Sequence, residues 1–254
     1  MHSTQPTPQH APQDRDATDP PDAQSSTQQQ PIQDWYPLES SPEVLTQLAR
    51  HWGLPDSYAF TDVFGLDDDT LALTPRPVHA VVFLFPDTED IVAWRGRDSY
   101  LPSGPGDEPL WIPQRGVGHS CGTFAVLHAL AETRLAPGLD AFFAECRSLP
   151  PEGRTALLAT SPLIKPVHNS LVTAGQTVLR ASDWDDADHF ISFIRHDGRV
   201  VEMDGARPRT GGVDRGAATD DLLKDVAKIV REQYVPLAGN SVHHFSLIAL
   251  VSQS

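Results

Sequence analysis

Gly116-Val-Gly-His-Ser-Cys-Gly-Thr123 runs straight into Phe124-Ala-Val-Leu-His-Ala-Leu-Ala131, so a glycine-rich loop delivers a cysteine to the start of an apolar segment. Phe124, Leu127, Leu130 and Ala131 recur at core spacing, and this predicts a helix over 121–134. The first turn of a helix has unpaired N–H groups and about half a positive charge, which favour thiolate over thiol and can hold an oxyanion. Glycines at 116, 118 and 122 let another backbone approach closely. Cys121 is therefore a candidate nucleophile. The plain alternative is a small buried residue in a glycine-rich turn.

A cysteine nucleophile needs a base and a group that orients the base. Working outward, His189 to Arg195 and Arg199 to Met203 alternate as two strands around Asp197-Gly198, a strong hairpin signal. With a two-residue turn, Asp204 falls opposite Ile191, and His189 lies two residues from Ile191 on the same face. His189 and Asp204 are then diagonal neighbours, roughly 7–8 Å apart along their backbones, a gap their side chains can close. A three-residue turn would reverse the parity. Taken alone, His189 reads equally as a packed strand histidine, and Asp204 as an Asp-Gly turn former.

The rest of the chain supplies a frame for these segments. Residues 1–34 are a mixture of Pro, Gln, Ser, Thr and Asp with a net charge of −4. Such a composition cannot offset its ordering entropy by burial, so a disordered tail is expected. From Trp35 the texture changes. Ser41-Pro42-Glu43 opens a helix that Gly53 stops. Tyr58 to Phe64 reads as a strand, Leu66 to Asp69 as a turn into a short helix, and Val78 to Phe85 as a buried central strand. Asp87 to Asp107 is polar and loop-like at its end. Helices are expected over 139–147, 151–159 and 220–234, with a closing strand over 242–251. Ser161 to Asp186 has no sustained period and reads as a long loop of the kind that forms lids. Helices and strands in separate groups predict an α+β domain over 35–254.

Composition narrows the functions. Lys and Arg number 19 against 34 Asp and Glu, a net charge of −15, which argues against nucleic acid or an anionic membrane as the main partner. Two cysteines cannot build a disulfide framework or a four-thiolate zinc site, so a cytoplasmic protein is expected, with the nucleus as a second location. No apolar run reaches a membrane span, and the N-terminus lacks the pattern of a signal peptide. Cys146 follows Phe142-Phe143 on a helix and reads as structural. His128, on the apolar helix, reads as a core histidine. His243-His244 at a strand start point to opposite faces and lack further ligands, and Asp67-Asp68-Asp69 lacks the alternation of a calcium loop. No metal or cofactor is expected.

Several ordered blocks together resemble the ubiquitin carboxyl-terminal hydrolase (UCH) family. They are Trp35 to Leu45, Phe60 to Asp68, Pro75 to Pro86, His119-Ser-Cys-Gly-Thr123 and the pair His189-Phe-Ile with Glu202-Met-Asp-Gly205. The likeness runs from about Trp35 to Leu250. It implies the short single-domain form of a papain-like α/β/α thiol hydrolase, with a largely antiparallel sheet flanked by helices and a knotted backbone. It further implies Cys121 as nucleophile, His189 as general base and Asp204 as the residue that orients it. The implied partner is ubiquitin or a related modifier such as NEDD8, with small or unstructured adducts cleaved from the C-terminal glycine by a monomeric enzyme. A crossover loop, here about 165–186, would screen the site. The sequence departs from the family in two places. The oxyanion-stabilising Gln usually lies six residues before the Cys, where this chain has Arg115, and Gln114 lies seven before. Either the loop carries an extra residue and Gln114 still reaches the site, which an extra glycine at 116 or 118 favours, or the place is vacant. His119 also stands where the family usually has Asn.

Overall fold

The computed structural model describes residues 35–101, 108–172, 188–208 and 211–253. The expected tail, 1–34, and most of the expected crossover loop lie outside the described residues. Helix α1 (Pro42–His51) begins as its sequence requires, with the Ser41 hydroxyl accepting the Val44 N–H at 3.4 Å. It ends at Gly53, whose φ of 92° places it in the left-handed region. Strand β1 (Tyr58–Asp62) is shorter than the apolar run suggested, and α2 (Asp68–Leu71) is capped by Asp67. Strand β2 (Val78–Phe85) has the expected bounds.

Helix α3 (Glu89–Arg95) occupies part of the stretch read as polar, burying only Ile91 and Arg95, too few residues to leave a helical period. Helices α4 (Cys121–Thr133), α5 (Asp140–Ser148) and α6 (Pro151–Thr160) follow the sequence reading within a residue or two. The expected loop over 161–186 is corrected in its first half, because Lys165–Val172 is helix α7. Its buried contacts are His168 and Leu171, and a histidine in a core position hides the amphipathic pattern.

Strands β3 (His189–His196) and β4 (Arg199–Met203) form the hairpin, followed by β5 (Val213–Ala217), which the sequence reading missed. Helix α8 (Leu222–Ile229) continues through a π-turn over Val230–Tyr234 into α9 (Val235–Ala238). Strand β6 (Ser246–Ser252) closes the sheet. It starts later than expected, because Gly239–His244 is a 3₁₀ turn. His243 and His244 therefore lie outside the strand with ring centroids 4.3 Å apart.

The strand order is β1-β6-β2-β3-β4-β5, and every pairing is antiparallel. Both faces are covered. Ala80, Val82, Phe190, Ile194 and Ile248 point into one core with α1 and α4, while Val81, Phe83, Phe85, Ile191 and Phe193 point into a second core with α8. Alternation along β2 and β3 thus separates two apolar layers, giving helices on each side of one sheet. No described helix is long and apolar enough to cross a membrane.

Candidate active site

The hairpin turn holds the geometry that the sequence implied. Asp197 and Gly198 both have positive φ, 46° and 72°, as the two central residues of a type I′ turn require. His196 pairs with Arg199 and Ser192 with Met203, so the two-residue register holds along the ladder. At its far end His189 Nε2 lies 2.8 Å from Asp204 Oδ1. The Ala206 N–H donates to the same oxygen at 2.8 Å. With Nε2 on the carboxylate, Nδ1 is the nitrogen left for chemistry.

Cys121 opens α4 and is partly exposed. Its sulfur faces the N–H groups of Phe190, Gly122 and its own residue, so the thiol sits against the backbone of the residue after His189. Gly122 packs closely here, since a Cβ at that position would lie 3.3 Å from the Leu38 Cβ and 3.4 Å from the Phe190 ring. Among the described residues no hydrogen bond joins Cys121 to His189. Burial pushes the Cys121 thiol up, outweighing the N–H groups that favour thiolate. Burial, then the Arg95 charge, pulls His189 down to about 3. Both shifts favour the uncharged forms, thiol and imidazole, against the preference of the helix N-terminus for thiolate.

Gln114 sits where its backbone N–H donates to the Gly205 carbonyl at 2.7 Å, joining the loop before Cys121 to the loop after Asp204. Its Nε2 donates to Gly118 O at 3.0 Å across the glycine loop, which leaves one N–H of the amide unspent. Its Oε1 is buried with no partner among the described residues. Arg115 turns outward and spreads its guanidinium over three carbonyls, those of Gln114 (3.1 Å), Gly205 (3.0 Å) and Arg207.

Sequence reasoning missed the groups behind the dyad. Arg95 donates to Asp204 Oδ2 and, at 2.9 Å, to Asp87 Oδ1. Its guanidinium lies 5.1 Å from the Phe85 ring, and the same ring meets His189 edge-on with centroids 5.7 Å apart. Nothing in a polar, irregular stretch marks Arg95 as buried, since its partner is 109 positions away. The lesser candidates fall where expected. Cys146 is buried, its thiol pushed up to about 12 by desolvation, and His128 accepts the Ile112 N–H at 3.0 Å inside the core. Among the described residues no group of three His, Cys, Asp or Glu side chains is arranged to hold a metal.

A thiol at a helix start, beside a strand-borne imidazole–carboxylate pair on an antiparallel sheet covered by helices, defines the papain-like class of thiol hydrolases. The family profile described as ubiquitin carboxyl-terminal hydrolase, family 1, matches residues 35–235. The chain belongs to that family. It is 35% identical over 228 residues to ubiquitin carboxyl-terminal hydrolase 3 of Arabidopsis thaliana, covering 85% of this chain and 93% of the relative. It is 32% identical over 204 residues to the human isozyme L1, covering 77% and 89%. In three dimensions it resembles the catalytic domain of Trichinella spiralis UCH37 solved bound to ubiquitin vinyl methyl ester. That match has a TM-score of 0.69 and 23% identity over 86% of this chain and 96% of the other.

Proposed function

We propose that the protein is a thiol-dependent hydrolase that cleaves adducts from the C-terminal glycine of ubiquitin through an acyl-enzyme on Cys121. The observation that carries this reading is the 2.8 Å contact of His189 with Asp204, beside a thiol at the start of α4, in a chain of this family. The solved relative's ubiquitin-derived ligand supports ubiquitin as the partner. A modifier such as NEDD8 is the competing substrate, and the enzyme acts as a monomer.

The steps follow from the groups present. Because burial favours the uncharged thiol and imidazole, the Cys121 proton passes to His189 Nδ1 as the sulfur attacks the glycine carbonyl. Asp204 holds the imidazolium that forms. The oxyanion sits between the Cys121 N–H and the unspent N–H of Gln114. His189 then protonates the leaving amine, and water, activated by the same imidazole, releases ubiquitin.

Ubiquitin bearing a C-terminal electrophile tests the reading. Covalent capture that disappears in Cys121→Ala supports it. Binding without capture or turnover would sink it in favour of a catalytically silent ubiquitin-binding module. His189→Ala and Asp204→Asn should both cut turnover steeply, the second less, and wild-type turnover in either would refute the assigned roles.

A further inference from the structure

Behind Asp204 lies a buried charge cluster that the steps above do not use, and Arg207 is its hub. Arg207 is 2% exposed. Its Nη2 lies 2.5 Å from Glu202 Oε1, and its Nη1 lies 2.5 Å from both Asp98 Oδ2 and the carbonyl oxygen of Arg95. Its Nε faces Asp204 Oδ2 at 3.3 Å. Arg215 closes the far side, reaching Asp98 Oδ1 and Glu202 Oε2 at 2.7 Å each. The Tyr234 hydroxyl also donates to Glu202 Oε2 at 2.7 Å. Glu202, fully buried, thus has both oxygens engaged, one by Arg207 and the other by Arg215 and Tyr234.

We infer that Arg207 is a positioning residue for the hydrolysis. It anchors Arg95 on one side of Asp204 and Glu202 on the other, so that Oδ2 is occupied and Oδ1 alone is presented to His189. The inference rests on the assigned Cys121–His189–Asp204 roles. A carboxylate has two equivalent oxygens; the Ala206 N–H holds Oδ1 at 2.8 Å, and a partner on Oδ2 completes the fixing of its plane toward His189. Arg95 is that partner, and its main chain is fixed by the Arg207 Nη1 donor.

The charges around the dyad give the role a distinct signature. Facing it are Asp87 and Arg95 on one side, Glu202 and Arg207 on another, and Cys121 from α4, with Asp98, Arg215 and Tyr234 behind. Arg95 and Arg207 lower the proton affinity of His189, and Glu202 raises it. Removing the Arg207 charge leaves Glu202 less compensated, so His189 takes a proton more readily. The acid limb of kcat/KM, where the neutral base is lost, then moves to higher pH.

The test uses the full chain and hydrolysis of ubiquitin 7-amido-4-methylcoumarin. Arg207→Met should lower kcat about tenfold or more with KM unchanged, as for a misaligned catalytic group. It should shift the acid limb upward and weaken the downfield proton resonance of His189 Nε2–H. Arg207→Lys should restore the limb but only part of kcat, since an ammonium cannot bridge Asp98, Glu202 and the Arg95 carbonyl together. A folded Arg207→Met with wild-type kcat and wild-type pH profile overturns the inference. Should that variant fail to fold, Arg207→Met/Glu202→Gln removes both charges of the pair. Lost kcat at constant KM then supports the role and wild-type kcat overturns it, and if the double variant also fails, wild-type kcat in Arg207→Lys overturns it. No hydrolysis by the unsubstituted chain would instead sink the proposed function.

Discussion

Gln114 and Arg115 both tie the loop before Cys121 to the loop after Asp204. The glutamine lies seven positions before Cys121, yet its backbone is pinned to Gly205 and its amide is turned into the glycine loop. Arg115, at the sixth position, serves as a clamp on the carbonyls of Gln114, Gly205 and Arg207. If the unspent Gln114 N–H meets the oxyanion, Gln114→Ala should lower kcat by about 10²- to 10³-fold with little change in KM. Equal turnover would leave the Cys121 N–H as the working donor. Steady-state kinetics on a ubiquitin ester or amide distinguishes the two. The glutamine was legible in the sequence as a candidate. The clamp was not, because an exposed arginine bonded to carbonyls about 90 residues away leaves no local pattern.

The β3–β4 hairpin and the turn after it register His189 and Asp204 against each other. Asp-Gly at 197–198 sets a two-residue turn, and the period-two alternation then brings His189 and Asp204 to one end and one face. That inference needed no tertiary knowledge, because the pairing is local. Gly198→Val forces a β-branched residue to a φ near 72°, so a loss of about 1–2 kcal/mol is expected in a denaturant titration. Gly205→Ala acts nearer the site. A Cβ there would lie 2.9 Å from Ile112 O and 3.0 Å from Gln114 N, both main-chain atoms. The two loops must separate, and stability should fall by about 1–3 kcal/mol with turnover falling alongside. An active, fully stable Gly205→Ala would show that the loops need not touch. By contrast, α3, α7 and β5 were illegible. Each buries one or two side chains, and these include Arg95 in α3 and His168 in α7, so their patterns imitate those of polar loops.

Two apolar layers on one sheet hold the molecule together, and their buried polar groups set its response to acid. His128 and His168 are pulled down to about 4 and His189 to about 3, chiefly by burial. The unfolded chain binds protons at these sites below about pH 6.5 while the folded chain does not, so stability rises with pH up to that point and falls below it. Three such groups give a slope approaching about 4 kcal/mol per pH unit near pH 5. Glu202, held ionised by Arg215 and Arg207 despite burial, adds to the loss as pH falls below its unfolded value. Thermal melts from pH 7 to pH 5 should show a steep fall, and His128→Phe should flatten it. A flat profile would mean that these histidines are solvated in the folded chain. The net charge of −15 over the whole sequence should also make KM for ubiquitin rise with salt if the partner's facing surface is basic. Helix periods, caps, the turn type and the alternation of β2, β3 and β4 were all readable from neighbouring residues, and with them the fold class and the His189–Asp204 pair. Those features arise from steric and hydrogen-bonding rules that act over a few residues. The desolvation of Cys121 and His189, the Arg95 hold on Asp204 and the Arg207 cluster emerged only in three dimensions. Burial and charge pairing depend on segments far apart in the chain, and no local pattern records how much water a folded site excludes.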